Sequence, residues 1–308
     1  MRDPRMKTVG KGLRRRGRLI AAALRPPGGA PGAGTGGGAG AAGTVPAVPD
    51  YGRTSQDYAA PRASRLVESP VFVLSPVRSG STLLRVILNS HPDIRAPHEM
   101  HLRTLNVRMG RDFTPSAMRE LELDKDELEH LLWDRVLHLE LERSGKRVIV
   151  DKTPPNTLIW PRLRRCWPDA RYLFLLRHPA AVVSSLVNRR REPDLEQIHS
   201  EVLEYAERLE DARTELNGHT VTYEHLTAEP EKATRDICRY LDVEWDAAML
   251  DYGEQDHGSF RPHIGDWSSN IKSGRIQPAR QPGDDVELPV RLAQIAEAWG
   301  YHSSPSGD

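Results

Sequence analysis

Apolar residues fall along this chain in two rhythms. Three short unbroken runs, residues 71–75, 147–151 and Arg171–Leu176, are rich in Val, Ile, Leu and Phe, and a helical spacing follows each. Such runs predict strands covered on both faces, and their alternation with helices predicts a parallel sheet built from βαβ units. After the first run, Leu83, Leu84, Ile87 and Leu88 are spaced for one buried helical face. That helix is expected to stop near His91-Pro92, because proline disfavours helical backbone in the residue before it. Residues 115–143 read as mostly helical, with Leu128, Leu131, Leu132, Val136, Leu139 and Leu141 forming an apolar stripe. Further helices are predicted over 179–190, 195–217, 229–241 (opening at Pro230) and 286–299, and a fourth strand over 219–223. Residues 253–285 have no period and abundant Gly, Pro, Ser and Arg, so they form a long loop, and a loop of that length in a compact domain usually has a function. No internal repeat is visible. The predicted fold class is α/β, a single domain with a P-loop-like parallel β-sheet flanked by helices.

Composition divides the chain. Residues 28–43 hold nine glycines in sixteen positions, too little apolar surface to offset the entropy of ordering them. Residues 1–65 are therefore expected to be a disordered tail, 66–302 the folded domain and 303–308 a flexible end. The 43 Lys and Arg balance the 43 Asp and Glu, yet residues 1–25 carry nine Lys and Arg against the single Asp3. This basic tail is either a solvated extension or an arm that touches anionic surfaces. No nucleic-acid partner is expected. The apolar stretch 19–24, closed by Arg25, is too short for a secretory signal, and nothing later approaches a membrane span, so the chain reads as cytoplasmic. Cys166 and Cys238 lie far apart without metal spacing and read as buried small residues rather than a disulfide.

The chemistry begins at Val71-Phe-Val-Leu-Ser-Pro-Val-Arg-Ser-Gly-Ser-Thr-Leu-Leu84. A strand, a Ser/Gly turn and a helix in succession form a cradle of backbone N–H groups at the positive helix end, suited to a phosphate. An ATP-binding loop, G-x-x-x-x-G-K-[ST], would need Gly at 75 and Lys at 81, and this chain has Ser75 and Ser81. Arg78 sits inside the loop instead. A second cluster, Arg177 after a strand with Ser185 and Arg189 four residues apart on the next helix, has two guanidinium forks and a hydroxyl suited to another phosphate. Two such sites imply a nucleotide phosphorylated at two separate places. Read alone, Arg177 can equally pair a carboxylate, and Arg189 can belong to the solvated run Arg189-Arg-Arg191.

These residues carry a resemblance. Pro76-Val-Arg-Ser-Gly-Ser-Thr-Leu-Leu-Arg85, His91-Pro-Asp-Ile-Arg95 with Glu99, Arg177 with Ser185 and Arg189, and Tyr223-Glu-His-Leu226 resemble the sulfotransferases that use 3′-phosphoadenosine 5′-phosphosulfate (PAPS). The branch is that of the tyrosylprotein sulfotransferases and their bacterial relatives, and the similarity runs from about residue 70 to 300. It implies that Arg78, Ser79, Gly80, Ser81 and Thr82 hold the 5′-phosphosulfate. Arg177, Ser185 and Arg189 would hold the 3′-phosphate, and Tyr223 would contact the adenine. Ser268-Ser-Asn-Ile-Lys-Ser-Gly-Arg275 resembles the family's late nucleotide loop and would supply Ser269, Lys272 and Arg275.

Sulfuryl transfer to a hydroxyl needs a base for the acceptor proton and cations where charge develops on the leaving phosphate; no metal is expected. Arg78 and Lys152 are the candidate cations. Glu99 is the candidate base, matching the glutamate proposed for that role in the tyrosylprotein branch, with the neighbouring His98 or His101 as alternatives. Pro97-His98 stands where the tyrosylprotein enzymes have Gly-Glu, beside the base, so the acceptor is expected to differ. A small-molecule or glycoconjugate hydroxyl is favoured over a protein tyrosine, and the acceptor's identity stays open. Two rival readings are a P-loop kinase, with Asp151 ending the strand 148–151 as a magnesium ligand, and a nucleotide-binding module without turnover.

Overall fold

The four side chains of β1 (Val71–Leu74) are all buried and alternate between two cores. Val71 and Val73 pack with Leu83, Leu84, Ile87 and Leu88, whereas Phe72 and Leu74 pack with Trp133, Leu163 and Trp167. A strand apolar at both parities must be covered on both faces, and this one is. The computed structural model describes residues 56, 58, 61–258, 269–280 and 286–301, with the backbone alone at Ser269 and Asn270.

Four more strands, β2 (Ile94–Arg95), β3 (Val148–Asp151), β4 (Arg171–Leu176) and β5 (Gly218–Thr222), complete a sheet of order β2-β3-β1-β4-β5. Every neighbouring pair is parallel, and Val71 stands opposite both Val150 and Arg171. The chain leaves β1 toward β2 and β3 on one side, and leaves β4 toward β5 on the other. Loops that diverge in this way open a crevice at the carboxyl edge of the sheet, where α/β proteins bind ligands. Residues 75–80 and Arg177 are on its two sides.

The helices are α1 (Ser81–Asn89), α2 (Thr114–Glu120), α3 (Lys125–Ser144), α4 (Trp160–Cys166), α5 (Pro179–Val187), α6 (Leu195–Glu215), α7 (Tyr223–Ala228), α8 (Pro230–Leu241), α9 (Ser269–Lys272) and α10 (Val290–Ala298). Residues of α1, α7 and α8 share one core with the sheet, and residues of α3, α4, α5, α6 and α10 share the other. Among the described residues no helix is long and apolar enough to cross a membrane. Both cysteines are free and buried.

The structure departs from the sequence pattern in specific places. The helix expected over 115–143 is two helices, because Glu122 turns left-handed (φ 58°) and Asp124 starts α3 afresh, its side chain accepting from Glu127 N at 2.8 Å. The leucine stripe is not the buried face of α3: Leu132 is exposed, and Glu127, Glu129, His130, Trp133, Asp134 and Leu137 are buried instead. Buried charge of this kind is tolerated only when paired, and here it is. Helix α5 ends at Val187, so Arg189 lies beyond it, and α10 starts only after Pro289. The edge strand β2 has two residues, too few to leave an apolar run.

The folded body also begins before residue 66. Tyr58 is buried, and Arg65 pairs Glu127 through two hydrogen bonds of 3.1 and 3.0 Å. Residues 1–55, 57, 59 and 60 of the expected tail, and the end beyond Tyr301, lie outside the described residues.

Candidate active site

The loop leaving β1 is shaped by two left-handed residues, Arg78 (φ 64°) and Gly80 (φ 82°). At Arg78 this is a strained backbone that the surroundings must hold. Thr157 holds its start, donating to Ser75 O at 3.0 Å and accepting from Ser75 N at 2.8 Å. Gly80 is the N-cap of α1 and has no side chain to cap it. The first-turn N–H groups of a helix left this way are donors for an anion. Ser79 Oγ is buried there with no hydrogen-bond partner among the described residues, a further donor for such a group.

Arg177 leaves β4 and crosses to this loop, its Nη1 donating to Arg78 O at 2.7 Å. Its guanidinium lies 4.6 Å from the centre of the Tyr223 ring, a cation–π contact, and burial holds its pKa below the ordinary arginine value. Tyr223 opens α7, whose cap Thr222 accepts from His225 N at 3.1 Å. The Tyr223 ring lies on Gly80, so that a Cβ at residue 80 would run into its Cδ2 and Cε2 atoms. Arg78 Nε donates to Ser185 Oγ at 3.2 Å, so one residue expected at each phosphate site is already in contact with the other. Arg189 is exposed, beyond the end of α5.

Lys152, directly after β3, is fully buried, and its Nζ donates to Glu99 Oε1 at 2.5 Å and reaches Thr82 Oγ1 at 3.5 Å. Burial lowers the lysine pKa, and the Glu99 carboxylate opposes that shift. Glu99 keeps a partly exposed side chain, and its other oxygen lies 3.6 Å from His101 Nε2. His98 turns elsewhere: it is exposed, and its Nδ1 is 3.0 Å from the carbonyl oxygen of Glu99. The structure thus brings Glu99, Lys152 and His101 together and leaves His98 outside.

Some residues of the site carry no sequence signal. Thr153 Oγ1 accepts from Met100 N (3.2 Å) and His101 N (3.4 Å) and donates to Asp151 (2.8 Å), fixing the turn in which His101 is left-handed at φ 51°. The other Asp151 oxygen accepts from Asn156 at 2.7 Å, and burial raises its pKa, so Asp151 anchors this turn rather than presenting a free carboxylate. Arg85 is buried beneath the turn, its pKa lowered to about 10 by burial and then by Arg95.

The late loop is docked by its backbone. Gly253 and Gly274 press together so closely that a Cβ on Gly253 would lie 2.7 Å from Gly274 Cα. Tyr252 OH donates to Arg275 O at 3.0 Å, and Ile271 is buried. Lys272 and Arg275 are exposed, and the Ser269 side chain lies outside the described residues.

A family model described as "Sulfotransferase family" matches residues 70–247, more than half of the chain. The chain belongs to the sulfotransferase family. The sulfotransferases it resembles in sequence include Protein-tyrosine sulfotransferase 1 of Danio rerio, 24% identical over 66% of this chain and 61% of that protein. Nodulation protein NoeE of Sinorhizobium fredii is 33% identical over 37% of this chain and 30% of that protein. The chain therefore spans less than two thirds of the length of these relatives. Two solved structures share the sulfotransferase fold. The sulfotransferase domain of the curacin biosynthetic pathway has a TM-score of 0.57 at 22% identity, covering 78% of this chain and 99% of that one. The sulfotransferase domain of the Synechococcus PCC 7002 olefin synthase has a TM-score of 0.59 at 24% identity, covering 80% and 98%.

Proposed function

We propose that this protein transfers a sulfuryl group from PAPS to an acceptor hydroxyl and releases 3′,5′-ADP. The observation that carries the reading is the buried Lys152, paired to Glu99 within reach of Thr82 at the start of α1. A general base, a cation and a helix-end anion cradle then share one crevice, which is what in-line transfer between two oxygens requires. Arg78, Ser79, Gly80, Ser81 and Thr82 hold the 5′-phosphosulfate. Arg177, Ser185 and Arg189 hold the 3′-phosphate, and Tyr223 stacks on the adenine. Ser269, Lys272 and Arg275 complete the nucleotide site from the late loop.

In the reaction the acceptor oxygen attacks sulfur while Glu99 takes its proton, on the carboxylate oxygen that Lys152 does not bind. The bond from sulfur to the bridging phosphate oxygen breaks, and the electron pair leaves with 3′,5′-ADP. Lys152 and Arg78 stabilise the charge growing on that oxygen. The acceptor is a small molecule or a glycoconjugate rather than a protein tyrosine, because Pro97 and His98 at the edge of the base's turn replace part of the protein-tyrosine pattern.

Calorimetric titration tests the donor. The expected result is tight binding of 3′,5′-ADP and no binding of ATP with Mg²⁺; the reverse would overturn the reading in favour of a kinase. Transfer of radiolabelled sulfate from PAPS to a panel of phenols, sugars, lipids and tyrosine peptides then identifies the acceptor class.

A further inference from the structure

The unusual face of α3 joins two irregular segments. Glu127 and Asp134 capture the strap at the start of the domain: Arg62 N and Ala63 N each donate to Glu127 Oε1 at 3.3 Å, while Leu66 N (2.7 Å) and Val67 N (3.1 Å) donate to Asp134. Between them on α3, Glu129 captures the segment that follows the candidate base, accepting from Val107 N at 3.0 Å. Trp133 Nε1 donates to Leu105 O at 2.9 Å, so this segment is held as both donor and acceptor.

Arg162 of α4 ties the two halves. Its Nη2 pairs Glu129 Oε2 at 2.7 Å and Asp126 at 3.3 Å, and its Nε donates to His130 Nε2 at 3.0 Å. Its guanidinium lies 4.4 Å from the Trp133 ring centre and 5.6 Å from that of Tyr58. Nearly all of this charge is buried, Glu129 to 2% exposure and Arg162 to 8% of its side chain. A buried polar network held at full satisfaction specifies one arrangement more than it adds stability.

We propose that Glu129 is a positioning residue, and that Tyr58 and the strap 61–67, acting through Arg162, set where the turn bearing Glu99 sits. The segment that follows Glu99 is anchored at two successive places: Thr153 fixes Met100 and His101, Leu102 is buried, and Glu129 with Trp133 fixes 105–107. Without the second anchor the carboxylate loses its aim while the donor site, on β1, α1 and β4, is untouched. The kinetic part of this inference rests on Glu99 as the base; the structural part does not.

The test uses the full chain. Glu129→Leu removes the carboxylate's contacts with Val107 N, Arg162 and Lys125, and Glu129→Gln keeps an acceptor for Val107 N. Amide hydrogen exchange of 102–108 should quicken by about tenfold in Glu129→Leu and much less in Glu129→Gln, with β1 and β4 unchanged. Release of sulfate from PAPS to water should fall by about tenfold in Glu129→Leu, while the Kd for 3′,5′-ADP stays within about twofold. Unchanged exchange at 102–108 would overturn the proposal, as would a loss of nucleotide affinity in step with turnover. If Glu129→Leu does not fold, Tyr58→Leu leaves no buried charge unpaired and should still loosen 102–108 by about threefold; no change there would overturn it equally. Failure of the native protein to bind 3′,5′-ADP would instead remove the donor reading and leave the exchange result to decide.

Discussion

The ring of Tyr223 fills the space that a side chain on Gly80 would occupy. The contact fixes the loop after β1 against the start of α7, and Gly80 also needs its left-handed backbone (φ 82°). Gly80→Ala should therefore weaken 3′,5′-ADP binding by about a hundredfold, through strain and displacement of the ring together. Calorimetry reads the effect, and near-native affinity would show that the ring moves aside freely.

Arg78 and Arg177 should separate in their effects. Arg177→Ala removes a half-buried guanidinium facing Tyr223, and the expected loss is about 10- to 100-fold in donor affinity. Arg78→Ala should act mainly on turnover, lowering kcat by about a hundredfold or more. Steady-state kinetics with PAPS, beside titration with 3′,5′-ADP, distinguish the two; native values in both would exclude these residues from the donor site.

Glu99→Ala leaves the Lys152 ammonium buried without its carboxylate, a defect expected to cost about 3 kcal/mol at neutral pH. Burial already lowers the lysine pKa, and loss of Glu99 lowers it further. The unfolded chain then holds the proton more tightly than the native one, so the penalty shrinks as pH rises toward the unfolded lysine value. Adding Lys152→Met should restore stability without restoring turnover. Denaturant melts at pH 7 and 9 measure the first effect, and sulfate transfer the second. His98→Ala, by contrast, should keep native kcat, since that ring faces the Glu99 carbonyl and solvent.

His130 gives stability a pH dependence of its own. Burial first, then Arg162 and Arg65, push its pKa down from 6.5 to about 3. The folded protein keeps this histidine neutral while the unfolded chain protonates it, so its contribution is intact above pH 6.5 and is lost as pH falls toward 3. The slope approaches about 1.4 kcal/mol per pH unit within that window. Urea melts of the native protein and His130→Gln at pH 7 and pH 5 should show the native protein losing more; equal losses would place His130 in a wetter site.

The sequence showed the sheet better than its surroundings. β1, β3 and β4 are legible because a strand buried on both faces leaves an unbroken apolar run, and β2, two residues long, leaves none. α3 misled because its buried face is built from Glu127, Glu129, His130 and Asp134, whose partners, Arg65, Arg162 and the backbone of 62–67 and 107, are distant in sequence. Of the candidate site residues, Arg78, Arg177 and Lys152 could be picked by type and position, whereas Tyr223 and Glu99 were supplied by the family resemblance. That His101 rather than His98 flanks Glu99 could not be picked in this way, because the left-handed backbone at His101 is imposed by Thr153 across the crevice.

The pressed backbones of Gly253 and Gly274 clasp two distant points of the late loop through main-chain atoms alone. Once these two points are joined, lengthening the span between them costs only about 0.6 kcal/mol for each doubling. Evolution or design can therefore insert residues ahead of α9, while Tyr252, Ile271 and the backbone of Arg275 keep their places against the domain. A side chain at either glycine would pry the clasp open, so these two positions join Ile271 in setting the limit on how far the loop can diverge.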